Sequence, residues 1–513
     1  MSLHVVLIHG WSVTSTETYG LLPSRLKEYA AEKGRDIEIH DIRLGKYISF
    51  RDEVCLDDIA CAMQAALKDA FKNNGVIPRF ACITHSTGGP LARLWKKRFY
   101  PDSGCPMSHL IMLAPANFGS ALAQLGKSTI SKMKYMFFDG VDCGEGVLNW
   151  LELGSQESLD LNIDYVLNGK KPAKRNPVYQ FVLTGQCIDR KLYDVVNSYT
   201  GELGSDGVVR VAAANLNCSY LKLSQKKMTP SPQTVFNKNR SIYSGDLREM
   251  CHREAPKTAF AIVPGCSHSG EEMGIMCALG GKGKEEETLK YIFECLQIKT
   301  PEEYEKICKL FEERNDKVQK TEEVEIIKSW FNKTKIRDKF SMIILRVMDD
   351  HGKPVMDFDF SLFGPDENPN LPSDFVIDRQ KNKRFANILS LYLNTANITG
   401  TPSISDIRPA LKRIPSLGFK FIPHQLDGFV HYGISTFEIP VEELNKYIKP
   451  NQTLIVDLVV KRIIHKTTMR LTNEEETQSA LNALKNLQDK KDEKAARAVL
   501  SFKDTKPGDK TID

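Results

Sequence analysis

The sequence predicts an α/β protein: a doubly wound, mostly parallel sheet with a helical excursion, followed by a smaller antiparallel β-sandwich. Three observations carry this prediction. Early in the chain, apolar runs such as His4-Val5-Val6-Leu7-Ile8 and His109-Leu110-Ile111-Met112-Leu113 alternate with segments whose apolar residues recur at helical spacing. This is the pattern of strands buried on both faces by crossover helices. Between them, Phe80-Ala81-Cys82-Ile83 runs into Thr84-His85-Ser86-Thr87-Gly88, and Gly89-Pro90 opens a helical pattern with Leu91, Leu94 and Trp95. Ser86 therefore sits at the apex of a sharp strand-to-helix turn. After Lys339 the pattern changes to short strands punctuated by Asp, Gly and Pro, without helices between them.

Bulk properties narrow the function. A length of 513 residues accommodates two or three domains, and 41% hydrophobic residues mark the chain as globular. Lys+Arg (70) and Asp+Glu (65) nearly cancel, which argues against a nucleic-acid partner. No apolar run approaches the roughly 18 residues of a membrane span. A core strand begins directly after Met1-Ser2-Leu3, so no secretory signal peptide is expected and the location is read as cytoplasmic, or exported without a cleavable signal. The 12 cysteines fall between Cys55 and Cys308 without C-x-x-C pairs, which fits reduced, mostly buried thiols better than a disulfide framework or a zinc site. No metal or cofactor is expected.

Taken in order, His4 to Ile8 is the first strand, closed by His9-Gly10-Trp11-Ser12. A helical pattern spans Thr18 to Ala31, and Asp36-Ile37-Glu38-Ile39-His40 alternates as a strand. Asp57 or Asp58 caps the next helix, whose core face carries Ile59, Met63, Leu67 and Phe71. The turn at Ser86 follows, and then the His109 to Leu113 strand ends in Ala114-Pro115-Ala116-Asn117-Phe118-Gly119-Ser120. Val178 to Leu183 returns to the sheet. A polar loop leads to Gly204-Ser205-Asp206-Gly207-Val208-Val209. Thr258 to Val263 is the last strand, Pro264 to Gly270 leaves its carboxyl end, and Glu285 to Ile298 reads as a closing helix.

The segments H-G-W, T-H-S-T-G-G and L-A-P-A-N-F-G-S resemble the serine lipase and esterase branch of the α/β-hydrolases over about the first 300 residues, with bacterial lipases, GPI-inositol-deacylase-like proteins and phospholipase effectors as the nearest groups. Thr84 departs from the family pattern, which has Gly there. The resemblance implies a nucleophile at Ser86, an acid at Asp206 and a base at His268, in the Ser…Asp…His order of that architecture. It also implies oxyanion donors at the backbone of Trp11 and Thr87. The segment 121–167 would be a lid, with Leu125, Ile130, Met133, Met136, Phe137 and Phe138 forming an acyl wall. His85, Phe137 and Phe138 are the candidate substrate-binding residues. Each piece has a plainer reading: a Ser/Thr helix cap at Ser86, an Asp-Gly turn at Asp206 and an ordinary packed helical layer over 121–167. Asp189, Asp194 and Glu202 compete with Asp206 for the acid, and His252 competes with His268 for the base.

The expected organisation is a catalytic domain over 1–299, a helical connector over 300–335, a β-sandwich over 336–470 and a charged, partly disordered helical tail over 471–513. The sandwich carries no catalytic constellation, so a binding or positioning role is expected, including a protein partner. Asp357 and Asp359 lack calcium-loop spacing and read as a solvated face. The implied activity is hydrolysis of carboxylic esters, with lipid esters favoured by the lid, transient contact with a membrane surface and a place in lipid metabolism or as a bacterial effector. The alternatives are a non-catalytic binding protein on a degenerate hydrolase fold, or a short-chain esterase or protein thioesterase. On this reading a fragment ending near Ile298 holds every reacting group.

Overall fold

The computed structural model describes residues 2–8, 19–49, 51–71, 76–102, 104–125, 144–169, 177–188, 202–226, 229–230, 243–270, 273–276, 285–324, 338–372, 374–401, 403, 410–424 and 430–464. The chain forms two compact units, Met1–His424 with Gly433–Lys461, and Gln425–Tyr432 with Arg462–Asp513. The second unit contains one two-stranded antiparallel pair, Val430–His431 with Ile463–Ile464.

The first unit begins with β1 (Leu3–Ile8), α1 (Leu22–Glu32), β2 (Ile37–Ile42), α2 (Leu56–Phe71), β3 (Phe80–His85), α3 (Gly88–Phe99) and β4 (Met107–Leu113). After α4 (Glu145–Leu151) and α5 (Gln156–Asn168) come β5 (Tyr179–Thr184), the short α6 (Val211–Ala214), β6 (Ser219–Gln225), β7 (Thr229–Pro230), β8 (Tyr243–Glu254) and β9 (Ala259–Ile262). Six strands form an all-parallel sheet in the order β2-β1-β3-β4-β5-β9. Alternate residues of one strand feed two cores: Val6, Ile8, Cys82, Leu110 and Met112 join the core with α2 and α3, while Val5, Leu7, Ile83, Ile111 and Leu113 join the other, with α1. Burial on both faces explains why β3 and β4 are mostly apolar and have no exposed residue, with the polar Thr84, His85, Ser108 and His109 buried as well. In α2, Ile59, Met63 and Leu67 are buried, with Phe71 packed against their core, as the spacing predicts.

Two helices close the sheet, α7 (Glu285–Leu296) and α8 (Pro301–Val324). The second covers the outer edge of β9: Asn315 accepts the Ile262 N–H at 2.7 Å and donates to the Phe260 carbonyl at 2.9 Å. A helix side chain thereby satisfies backbone groups that an edge strand leaves unpaired. Ile307 and Phe311 of α8 are buried, whereas Leu310 is exposed.

The remaining strands are β10 (Phe340–Asp349), β11 (Phe358–Phe363), β12 (Val376–Lys381), β13 (Ile388–Asn394), β14 (Ser416–Pro423), β15 (Val430–His431), β16 (Ile434–Pro440), β17 (Thr453–Val460) and β18 (Ile463–Ile464). Apart from β15 and β18, which pair only with each other, these strands join β6, β7 and β8 in a second, ten-stranded sheet in the order β11-β14-β16-β8-β6-β17-β10-β13-β12, with β7 beside β8. Here the structure differs from the expected antiparallel sandwich. The sheet is mixed, because β6 lies parallel to β17, β17 parallel to β10 and β16 parallel to β8. It also takes β6 and β8 from before residue 299, so the boundary expected there does not divide the sheets. The physical reason is edge pairing: the β6–β8 hairpin alone would leave backbone groups unpaired, and β17 and β16 satisfy them. Local sequence cannot say which distant edge a strand will meet.

Within 121–167, α4 and α5 pack as a layer, burying Val147, Leu148, Trp150, Leu151, Leu159 and Ile163. Residues 126–143, with Ile130, Met133, Met136, Phe137 and Phe138, lie outside the described residues. Trp11, Trp330, Phe331 and the 471–513 tail do as well. Asp359 meets His424 at 3.0 Å, both exposed, which suits the solvated-face reading.

Candidate active site

The turn between β3 and α3 holds Ser86 at a φ of 53°. This left-handed conformation costs a residue with a Cβ roughly 1–2 kcal/mol. Three backbone hydrogen bonds hold it: Ser86 N–H donates to the Leu113 carbonyl at 3.0 Å, and its own carbonyl accepts from Ala116 at 3.2 Å and Gly89 at 3.3 Å. Gly89 has to be glycine, since a Cβ there would lie 2.7 Å from Pro115 Cβ; the helix crosses that close to the segment leaving β4. Thr84, where the family motif has Gly, ends β3 fully buried. Thr87 is the N-cap residue of α3. Its backbone lies at the helix end whose dipole favours negative charge.

The loop after β9 brings His268 to this turn. Its Nε2 lies 3.2 Å from Ser86 Oγ, and its Nδ1 lies 3.0 Å from Asp206 Oδ2. A carboxylate can only accept, so Nδ1 carries the proton and the Nε2 lone pair faces the hydroxyl. Asp206 Oδ1 accepts from the N–H groups of Val208 at 3.0 Å and Val209 at 2.8 Å. The His268 N–H donates to the Asp206 carbonyl at 2.9 Å, so backbone and side chain both fix the pair. Asp206 is 0% exposed and His268 3%. Water competes little for these hydrogen bonds, which strengthens them. An imidazole placed this way can take a hydroxyl proton while its ring stays aligned by the carboxylate.

His85 lies behind this line. Its Nε2–H donates to the His268 carbonyl at 3.0 Å, and the two rings are 4.7 Å apart. The contact in hand is thus with the backbone that carries His268. Among the competitors, Glu202 binds Arg210 through two 2.8 Å hydrogen bonds, and His252 lies in β8, packed on Tyr447 at 5.1 Å. Asp189 and Asp194, like the candidates Trp11, Phe137 and Phe138, lie outside the described residues.

Sequence reasoning missed how the loop carrying Asp206 is held. Arg210, 1% exposed, pairs with Glu202 on the same loop and with Asp378 of β12. Its guanidinium stacks 4.2 Å from the ring centre of Tyr392 in β13, whose hydroxyl donates to the carbonyls of Leu203 at 2.9 Å and Gly204 at 3.1 Å. Burial works against the Arg210 charge, but Glu202, Tyr392 and Asp378 hold it above its ordinary range. Gly204 has a φ of 71° and lies against Phe340 and Tyr392 with no room for a Cβ. The only sequence hint is a Glu and an Arg flanking the S-D-G-V-V segment; Asp378 and Tyr392, which complete the clamp on Arg210, lie more than 160 positions downstream.

No protein-family model matches the chain, and neither does any curated protein. Among solved structures, the chain is similar to phospholipase PlaB from Legionella pneumophila, with 38% identity, a TM-score of 0.77 and coverage of 92% of this chain and 97% of that one. The same phospholipase in complex with thio-NAD gives 37% identity, a TM-score of 0.76 and the same coverage. A likeness of that level over nearly both whole chains includes the parallel sheet and the mixed sheet alike. The chain therefore belongs to the family of phospholipase PlaB, within the lipase and esterase branch of the α/β-hydrolases, and is a carboxylic ester hydrolase.

Proposed function

We propose that the chain hydrolyses the acyl esters of phospholipids, with Ser86 as nucleophile, His268 as general base and acid, and Asp206 as the group that orients His268. The observation that carries this is the unbroken line Ser86 Oγ, His268 and Asp206, with spacings of 3.2 and 3.0 Å. In the first half-reaction Ser86 Oγ bonds to the acyl carbon while its proton passes to His268 Nε2. The tetrahedral oxyanion accepts from the Thr87 N–H at the start of α3, with Trp11 as the expected second donor; one such donor contributes about 3 kcal/mol. As the intermediate collapses, His268 returns the proton to the leaving alcohol, the lysophospholipid. Water then repeats the sequence on the acyl-enzyme and releases the fatty acid.

The phospholipid substrate is supported by the 38% identity to a phospholipase. On this reading the chain meets its substrate by transient contact with a lipid surface; among the described residues, no helix is long and apolar enough to cross a membrane. All reacting groups fall within 1–299, and the second sheet holds the loop that orients His268. The test is hydrolysis of phosphatidylcholine vesicles followed by mass spectrometry of the released fatty acid and lysophospholipid, together with fluorophosphonate labelling. Labelling of Ser86 and loss of both products in Ser86→Ala are expected. An adduct on another residue, or vesicle hydrolysis by Ser86→Ala, overturns the assignment.

A further inference from the structure

At the amino end of the parallel sheet, three side chains converge that play no part in the chemistry above. Period-two alternation puts Glu38 and His40 on one face of β2, and the register sets His4 of β1 opposite Glu38. The His4 Nδ1 to His40 Nε2 distance is 3.0 Å, His4 Nδ1 to Glu38 Oε2 is 3.3 Å and His40 Nε2 to Glu38 Oε1 is 3.5 Å. Phe71, the last residue of α2, lies against both imidazoles at 5.4 and 4.5 Å between ring centres. Among the described residues this is the one group of His, Cys, Asp and Glu whose ligand atoms all lie within 4.8 Å of one another.

We propose that His4, Glu38 and His40 bind a divalent transition-metal ion, Zn2+ by its chemistry. Each imidazole nitrogen faces a different oxygen of Glu38, and one ligand atom from each of the three residues lies within 4.8 Å of the other two; a tetrahedral Zn2+ with bonds of about 2.0–2.2 Å needs its ligand atoms about 3.3–3.6 Å apart, a spacing these side chains reach by small rotations. Two imidazoles and one carboxylate are the ligand types that select a borderline-soft ion over Ca2+ or Mg2+, which take oxygen. The carboxylate also balances part of the ion's charge. Glu38 is the exposed member and both rings are partly buried, so the fourth position faces solvent while Phe71 walls the opposite side.

The ion does not take part in ester hydrolysis. His4 is level with Phe80 in the β1–β3 register, six residues before Ser86, or roughly 20 Å along a strand. Its effect falls on the fold: β2 is the outermost strand of this sheet, and an ion shared by β1 and β2 ties that edge down. Binding energy to a site present only in the folded chain becomes folding energy.

The test uses the full chain without a histidine tag, stripped with chelator and given Zn2+ alone. Wild type should bind one more equivalent than His4→Gln/His40→Gln, and its unfolding midpoint should rise with Zn2+ concentration while that of the variant does not. Glu38→Gln, on an exposed position that keeps the fold, should bind at least about tenfold more weakly. With Co2+ in place of Zn2+, the visible spectrum should show tetrahedral d–d bands without thiolate charge transfer. Equal Zn2+ binding by wild type and Glu38→Gln, a thiolate band that puts the ion on cysteine, or a midpoint indifferent to Zn2+ overturns the proposal and leaves a hydrogen-bonded His-His-Glu cluster.

Discussion

Arg210 and Asp378 join the loop that carries Asp206 to the second sheet as a partly buried ion pair between residues 168 positions apart. The carboxylate facing His268 is thus held partly by residues of the C-terminal half. Arg210→Leu leaves Glu202 buried without its counter-charge and should destabilise the fold by about 3–5 kcal/mol. Asp378→Asn keeps the shape and the Glu202 pair. It should lower kcat on a soluble ester by about 10- to 100-fold with KM little changed, since a small displacement of an aligned group is enough. Steady-state kinetics and denaturant melts read the two effects, and wild-type kcat in Asp378→Asn would show the loop to be indifferent to the clamp.

Ser86→Ala and His268→Ala should each lower kcat by about 10⁴- to 10⁶-fold, and the double variant should be no worse than either alone, because the groups act as a unit. Multiplicative losses in a soluble-ester assay would mean that the two residues act independently.

For His85→Ala, the hydrogen bond to the His268 carbonyl is lost while Ser86 and Asp206 stay. A net hydrogen bond of about 1 kcal/mol corresponds to roughly fivefold in acylation rate. His85→Gln, which can donate from the same side, should recover part of it. Single-turnover release of p-nitrophenol is the measurement; a loss in apparent affinity with unchanged acylation would point to a substrate-binding His85.

Truncation after Ile298 is a sharper experiment than it looks from sequence. The fragment keeps Ser86, Asp206 and His268 but loses β17 from beside β6, α8 from the edge of β9, and Asp378 and Tyr392 from Arg210. It should aggregate or, where monodisperse by size exclusion, be inactive even on small esters. A soluble fragment with full kcat would show that the reacting groups do not depend on the second sheet.

His109 supplies a pH test. Burial holds its imidazole below the ordinary 6.5, with Nε2–H donating to the Ile298 carbonyl at 2.7 Å and the ring stacked on Phe181. A depressed folded value means that the unfolded chain takes the proton first. The stabilising contribution is therefore full above 6.5 and is lost as pH falls below it towards the folded value. Denaturant midpoints at pH 7.5 and 5.5 should show a drop in wild type that is smaller in His109→Gln. An equal drop in both would exclude His109 as its source.

Local patterns in the sequence determine much of this protein. Mostly apolar runs predict the buried parallel strands because burial on both faces leaves no solvent-facing position, and the helical spacing of Ile59, Met63 and Leu67 names the face that packs. The order of Ser86, Asp206 and His268 is legible too, because a parallel sheet delivers the carboxyl ends of its strands to one side, and the structure sets these residues within hydrogen-bond distance. Tertiary structure alone decides what depends on distant pairing. It brings β6 to β17, Arg210 to Asp378, His85 to the His268 carbonyl, and His4 to Glu38 and His40. Each of these joins residues whose local sequence is satisfied by several partners, and only the closing of sheet edges and the burial of charge select the one that forms.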